Sequence, residues 1–124
     1  MERLALEETV LAEADRRFDD TVAFLRDLVR QPSVLGNERG AQELVHQRMR
    51  GMGLDADMWD LDPAVLAEHP LYGPLEIGYD GRPNVTAVWQ AAAPGGHSLI
   101  LNGHIDVVSP EPLANWVHGP WDAI

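Results

Sequence analysis

Apolar residues recur with helical spacing in the first thirty positions of the chain. Phe18, Val22, Leu25 and Val29 follow at intervals of four, three and four, which places them on one face. Leu4, Val10, Leu11 and Ala14 extend the stripe more weakly toward the N-terminus, so a helix is expected over residues 2–30. Acidic side chains in its first turns suit the helix dipole, and Pro32 ends it. A second helix is expected after Asn37, a good N-cap, through Ala41, Leu44, Val45, Met49 and Met52. Gly51 and Gly53 stand where it would end, Gly53 as the left-handed cap. The period then changes. Leu54, Ala56 and Met58 alternate with Asp55 and Asp57, the pattern of a strand with one wet face. Residues 62–83 form a proline-interrupted excursion with one helical turn at 64–68, residues 85–89 a second strand, and 91–96 a turn. Leu99, Ile100 and Leu101 begin a third strand. Their run is apolar without alternation, which predicts burial on both faces at the centre of a sheet.

Composition narrows the class. Nine Lys and Arg against 20 Asp and Glu give a formal charge of −11, which repels phosphate backbones and anionic lipid, so neither nucleic acid nor membrane is expected as a partner. The acidity is spread along the chain, the pattern of a soluble protein and not of an acidic arm. With no cysteine in the 124 residues, a metal would have to use His and carboxylate ligands. The first eight residues lack the basic start and apolar core of a signal peptide, and no stretch approaches the ~20 apolar residues of a membrane span. The cytoplasm is the expected compartment.

Chemistry gathers where the third strand ends, in Asn102, Gly103, His104, Ile105 and Asp106. In open α/β sheets, sites collect at the carboxyl ends of central strands. In extended chain, side chains at i and i+2 share a side, so a carboxylate at 106 can orient an imidazole at 104 and raise its basicity toward a metal. A His-x-Asp taken alone more often just finishes a strand and hydrogen-bonds locally. The other candidates have plainer readings. His118 reads as a loop residue, His46 and His69 as surface residues, and His97 as part of a turn. Trp59, Trp89, Trp116 and Trp121 read as core and loop packing. Pro94-Gly95-Gly96 lacks the Lys-Ser/Thr ending of a phosphate loop, and no Gly-x-Ser-x-Gly supports a serine hydrolase.

Context changes the weight of the His-x-Asp pair. The run Leu99-Ile100-Leu101-Asn102-Gly103-His104-Ile105-Asp106-Val107-Val108 resembles the first metal-binding motif of the M20 metallopeptidases and deacylases. Trp116-Val117-His118-Gly119-Pro120-Trp121 resembles the loop that follows it, with Trp121 where Phe is usual. The segment from Phe24 to Val34, the Gly36-Asn37-Glu38 turn and Arg82-Pro83-Asn84-Val85 match in the same order, so the likeness runs from about Thr21 onward. Ser109-Pro110-Glu111-Pro112 departs from the usual turn.

The resemblance implies an α/β fold: the N-terminal part of a zinc-peptidase-like catalytic domain, with helices packed on a mixed β-sheet. Residues 1–124 would be one incomplete catalytic domain, without its remainder and without a dimerisation domain. His104 would be a ligand in a two-metal centre holding Zn2+, or Co2+ or another divalent ion. Asp106 would be the catalytic-site carboxylate that fixes the His104 ring. The implied reaction is hydrolysis of amide bonds in N-acyl amino acids or small peptides, by a homodimer in its full-length form; acetylornithine- and succinyl-diaminopimelate-type deacylases look most alike. The other ligands and the general base of the family lie beyond the chain's last residue, so the chain by itself is expected to be an inactive fragment. The alternative is a short product acting as a binding or regulatory piece, since one His cannot hold a catalytic zinc.

Overall fold

The computed structural model describes residues 2–73, 76–93 and 95–124, and the expectations that fall on Pro74 and Pro94 lie outside them. Helices α1 (Glu2–Arg16), α2 (Phe18–Val29) and α3 (Arg39–Gly51) come first, followed by strand β1 (Asp55–Trp59). A one-turn helix α4 (Pro63–Ala67), strand β2 (Asn84–Val88) and a 3-10 turn at Leu113–Asn115 complete the order. The result is a small α/β arrangement whose sheet has two strands among the described residues.

The single helix expected over residues 2–30 is divided at Arg17, whose backbone leaves helical geometry at φ −95° and ψ 0°. Glu13 draws the Arg16 and Arg17 guanidinium groups together beside the break, and their hydrogen bonds hold its carboxyl well below the usual range, at about 2. The apolar residues of α1 stay exposed, in keeping with its weak stripe. Helix α2 meets α3 through Arg48, which pairs with Asp20 and lies 5.3 Å over the Phe24 ring.

Helix α3 begins one residue later than expected. Glu38 occupies the N-cap, because the Asn37 side chain turns back and donates to the Pro32 carbonyl at 2.8 Å. Its end is the expected one. Gly53 takes φ +79°, so Leu54 N–H reaches the Met49 carbonyl (3.1 Å) and Gly53 N–H the Arg50 carbonyl (2.9 Å), a Schellman ending. The chain then enters β1, which pairs antiparallel with β2 in the register Asp55↔Val88, Asp57↔Thr86, Trp59↔Asn84. Asp55 and Asp57 face water while Ala56 and Met58 turn inward, as the alternation predicts. Helix α3 covers the inward face, with Ala41 fully buried and the His46 ring bonded to the Ala56 carbonyl (3.2 Å). Asp62 caps α4 by accepting from Ala64 N–H at 2.9 Å.

The third strand does not form. Residues 97–106 take no strand geometry, and Leu99, Ile100 and Leu101 are 81%, 88% and 87% exposed. The expected mixed sheet is therefore an antiparallel pair plus one isolated parallel bridge, Val34↔Val107. The reason is the lack of neighbours. A central strand needs a ladder on each side, and among the described residues the segment and its end form a single bridge, Val34↔Val107. The accessible surface shows the same shortfall: 10426 Å², against about 6,600 Å² for a folded monomer of this mass.

An ion pair between a buried carboxylate and a half-buried guanidinium joins the start of α3 to the loop before β2. Arg82, before β2, grips Glu38 at the start of α3 through Nη2–Oε1 at 2.6 Å and Nε–Oε2 at 3.0 Å, with side chains 15% and 7% exposed. Arg82 also donates to the Gly78 carbonyl (3.0 Å), and Glu38 accepts from Gly36 N–H (3.0 Å). Burial pushes the Glu38 carboxyl up. The hydrogen bonds from Arg82, Gly36 and its own N–H outweigh that and leave it below its ordinary value of 4.5. A depressed carboxylate stabilises the fold above its unfolded pKa and loses that contribution as pH falls through its folded value. Removing one partner of a fully buried pair costs about 3–5 kcal/mol, an upper bound here because Arg82 is only half-buried. Glu38→Gln is therefore expected to lower the urea midpoint sharply near neutral pH, and to differ little from wild type at a pH low enough to protonate Glu38. An unchanged midpoint at neutral pH, followed by circular dichroism, would show that the pair does not hold the fold.

Candidate functional site

His104 and Asp106 lie on the segment that follows the exposed apolar run. The segment is anchored to the loop after α2 by two hydrogen bonds. The Ser33 hydroxyl donates to the Ile105 carbonyl (2.9 Å), and Val107 N–H donates to the Ser33 carbonyl (3.0 Å). Ser33 itself is buried. Between those anchors, Asp106 Oδ1 approaches His104 Nδ1 at 3.2 Å, and the Asp106 carbonyl lies 3.0 Å from the same nitrogen. Both partners are acceptors only once the carboxylate is ionised, so Nδ1 must carry the proton. Nε2 is left as the lone-pair nitrogen on a largely exposed ring.

Two concavities meet at this pair. A cleft of about 190 Å³ is lined by Glu38, Tyr79, Arg82, Asn84, His104 and Asp106. On the other side, a wider depression of about 850 Å³ is lined by Val34, Leu35, Val107 and Val108 as well as by His104 and Asp106. The first wall is polar and the second apolar, so a ligand at His104 would meet both kinds of surface. Hydrogen bonding to Glu38 raises the Arg82 guanidinium above its ordinary value, and the Asp106 charge adds to that rise. The buried pair and the site thus feel each other across the cleft.

These residues fit one corner of a metal site. Nε2 of His104 is a suitable ligand atom, and Asp106 sits where a carboxylate would fix the ring. Among the described residues, no group of three or more His, Cys, Asp or Glu is placed to hold a metal ion. Three protein ligands are the usual minimum for a catalytic zinc, so the set present is incomplete.

The remaining histidines stay apart from the pair. His46 is half-buried between α3 and β1, which corrects the expectation of a surface residue: the helix face that packs on the ribbon includes it. The His69 ring accepts from Leu71 N–H at 3.2 Å, and His97 and His118 are exposed. Trp59, Trp89 and Trp116 are exposed and do not form the expected packing, although Trp116 Nε1 donates to the Pro110 carbonyl (2.8 Å). The thin core offers them no apolar layer to enter. Ser33, Glu38 and Arg82 stand in the sequence only within longer stretches that carry the resemblance. Ser33 carried a local signal, a hydroxyl next to the helix-ending Pro32, whereas a Glu and an Arg 44 positions apart carried none.

No protein-family model matches the chain. It is 29% identical over 99% of its length to an N-formyl-4-amino-5-aminomethyl-2-methylpyrimidine deformylase of Halalkalibacterium halodurans, and covers 26% of that protein. It is 31% identical over 82% of its length to a succinyl-diaminopimelate desuccinylase of Cereibacter sphaeroides, and 28% identical over 81% to one of Methylorubrum populi, covering 22% of each. The chain is homologous to these deacylating enzymes. It spans about a quarter of the length of the relatives it matches. Among the described residues, no helix is long and apolar enough to cross a membrane.

The incomplete ligand set makes a direct prediction for the isolated chain. Zinc added to it is expected to shift the His104 ring resonances in nuclear magnetic resonance spectra weakly and without early saturation. Tight one-to-one binding would show that further ligands assemble around His104.

Proposed function

We propose that this chain is part of the catalytic domain of a metal-dependent amide hydrolase of the M20 type, one that removes an acyl group from a small N-acylated amine. The observation that carries the proposal is the His104–Asp106 contact, with Nδ1 engaged and Nε2 available, in a chain homologous to a deformylase and desuccinylases. His104 is the metal ligand and Asp106 the carboxylate that holds its ring. A zinc ion bound there would supply a water of lowered pKa as the nucleophile toward the amide carbonyl. The chain's own contribution is to fix the imidazole in one tautomer and to border the ligand space with an apolar and a polar wall.

The surface area favours part of a larger domain over a short protein awaiting a partner. The excess over a folded monomer is about 3,800 Å². Even permanent interfaces bury roughly 1,000–2,500 Å² on each side. The excess is therefore on the scale of a missing half-core. We propose that Leu99, Ile100 and Leu101 pair as a strand in the sheet of that domain, where their unbroken apolar run is covered on both faces. The three-quarters of each relative with no counterpart in these residues would supply the remaining ligands, the general base and any dimerisation surface.

The test is hydrolysis of N-formyl and N-succinyl amines by the full-length zinc-loaded protein and by the 124-residue chain. The longer protein is expected to turn over at least one such substrate, and the chain alone none. Asp106→Ala in the longer protein is expected to reduce activity or metal affinity by about 10–100-fold, and His104→Ala by more. Turnover that is unaffected by His104→Ala, or that persists after metal is stripped, would overturn the proposal.

A further inference from the structure

The two acceptors that hold His104 both belong to Asp106, and both depend on how the backbone of Asp106 is set. Ser33 touches the peptide groups on either side of it. Its hydroxyl binds the Ile105 carbonyl, which belongs to the peptide before Asp106, and its carbonyl receives Val107 N–H, which belongs to the peptide after it. In a trans peptide the N–H and C=O point in opposite directions. With Val107 N–H turned toward Ser33, the Asp106 carbonyl must point away from it, and His104 Nδ1 meets it there at 3.0 Å. With both flanking peptide planes held, the direction of the Asp106 Cβ is fixed as well, and only the side-chain torsions remain to bring Oδ1 to the ring.

We infer that Ser33 is the positioning residue of this site: it clamps the backbone on both sides of Asp106 and thereby holds His104 in the Nδ1–H form with Nε2 available. The inference rests on the roles proposed above for His104 and Asp106. The hydroxyl is the part that can be removed. Ser33 is buried, so its loss leaves the Ile105 carbonyl short of a donor, and the peptide must turn to find water. That turn rotates Asp106 about its own backbone, since Val107 N–H stays on the Ser33 carbonyl, and carries Oδ1 off the imidazole. The Val34↔Val107 bridge holds the rest of the segment in place, which confines the effect to the site.

The experiment is long-range 1H–15N spectroscopy of the His104 ring in the 124-residue chain, at a pH where the ring is neutral. Wild type is expected to show one dominant Nδ1–H tautomer. Ser33→Ala and Ser33→Val are expected to lose that dominance and give the mixed signals of a free imidazole. Ser33→Thr, which has the shape of valine but keeps the hydroxyl, is expected to restore it. Backbone amide spectra of α3 and β1 report whether each variant is folded, and if Ser33→Ala is not, the threonine–valine comparison decides. Asp106→Ala separates the two ideas. If it leaves His104 unchanged, the role proposed for Asp106 fails and the Ser33 role fails with it. If it abolishes the Nδ1–H form while Ser33→Ala and Ser33→Val preserve it, only the Ser33 inference is overturned. Loss of the fold in all three Ser33 variants overturns it too, since Ser33 would then serve the fold and not the site.

Discussion

The buried pair between Glu38 and Arg82 is the constraint on which the rest of the described structure leans. A charge removed from water is costly unless its partner and its remaining hydrogen-bonding groups are satisfied together. Here the carboxylate takes two nitrogens of the guanidinium and the Gly36 amide, while a third nitrogen takes the Gly78 carbonyl. Those contacts close the loop after α2 and the loop before β2 upon each other. They also fix where α3 begins, because the carboxylate at its N-cap faces Arg82 and not the helix's own amides. Ala41 and Pro83 are the buried apolar residues among those described, so this electrostatic join stands beside a small apolar core. Its position makes it one wall of the cleft that His104 and Asp106 border. A change to the join is therefore a change to the site.

The site shows a division between local and distant constraints. The His104–Asp106 contact spans two residues and can form wherever the segment takes a suitable backbone shape. Its location relative to the helices depends on the Ser33 anchors and the bridge beside them. That separation explains how the pair keeps its geometry although the apolar run before it lies open to water.

What was legible in the sequence follows the same division. Alternation of Ala56 and Met58 with two aspartates specified β1 because one face of an antiparallel ribbon is wet, and α3 covers the other. Gly53 was legible because a left-handed cap is settled within a few residues, whereas the cap that Asp62 supplies to α4 was not foreseen. The start of α3 was misplaced by one position. Asn37 is the better capping residue, but a loop carbonyl claims its side chain. The division of the long helix at Arg17 was equally hidden, since no glycine or proline marks it. The motif around His104 was legible as a likeness, and Asp106 Oδ1 lies 3.2 Å from the ring nitrogen. The Glu38–Arg82 pair was not legible at all, because only the folded chain brings those positions together.

The exposed run at Leu99, Ile100 and Leu101 is where sequence and structure diverge most, and the divergence has a physical cause. Alternation describes a strand by its own two faces, so it can be satisfied within a small unit. An unbroken apolar run describes a strand by its surroundings: it needs layers above and below and ladders on both edges. Helix α3 can cover one face of a two-stranded ribbon, and it already covers that of β1 and β2. Nothing among the described residues remains to cover a third strand on two faces. An uncovered apolar strand gains little from becoming regular, because its backbone groups hydrogen-bond to water equally well in irregular form. The irregular, exposed state of residues 97–106 is thus what an apolar run without covering layers demands, and the described residues supply no such layers.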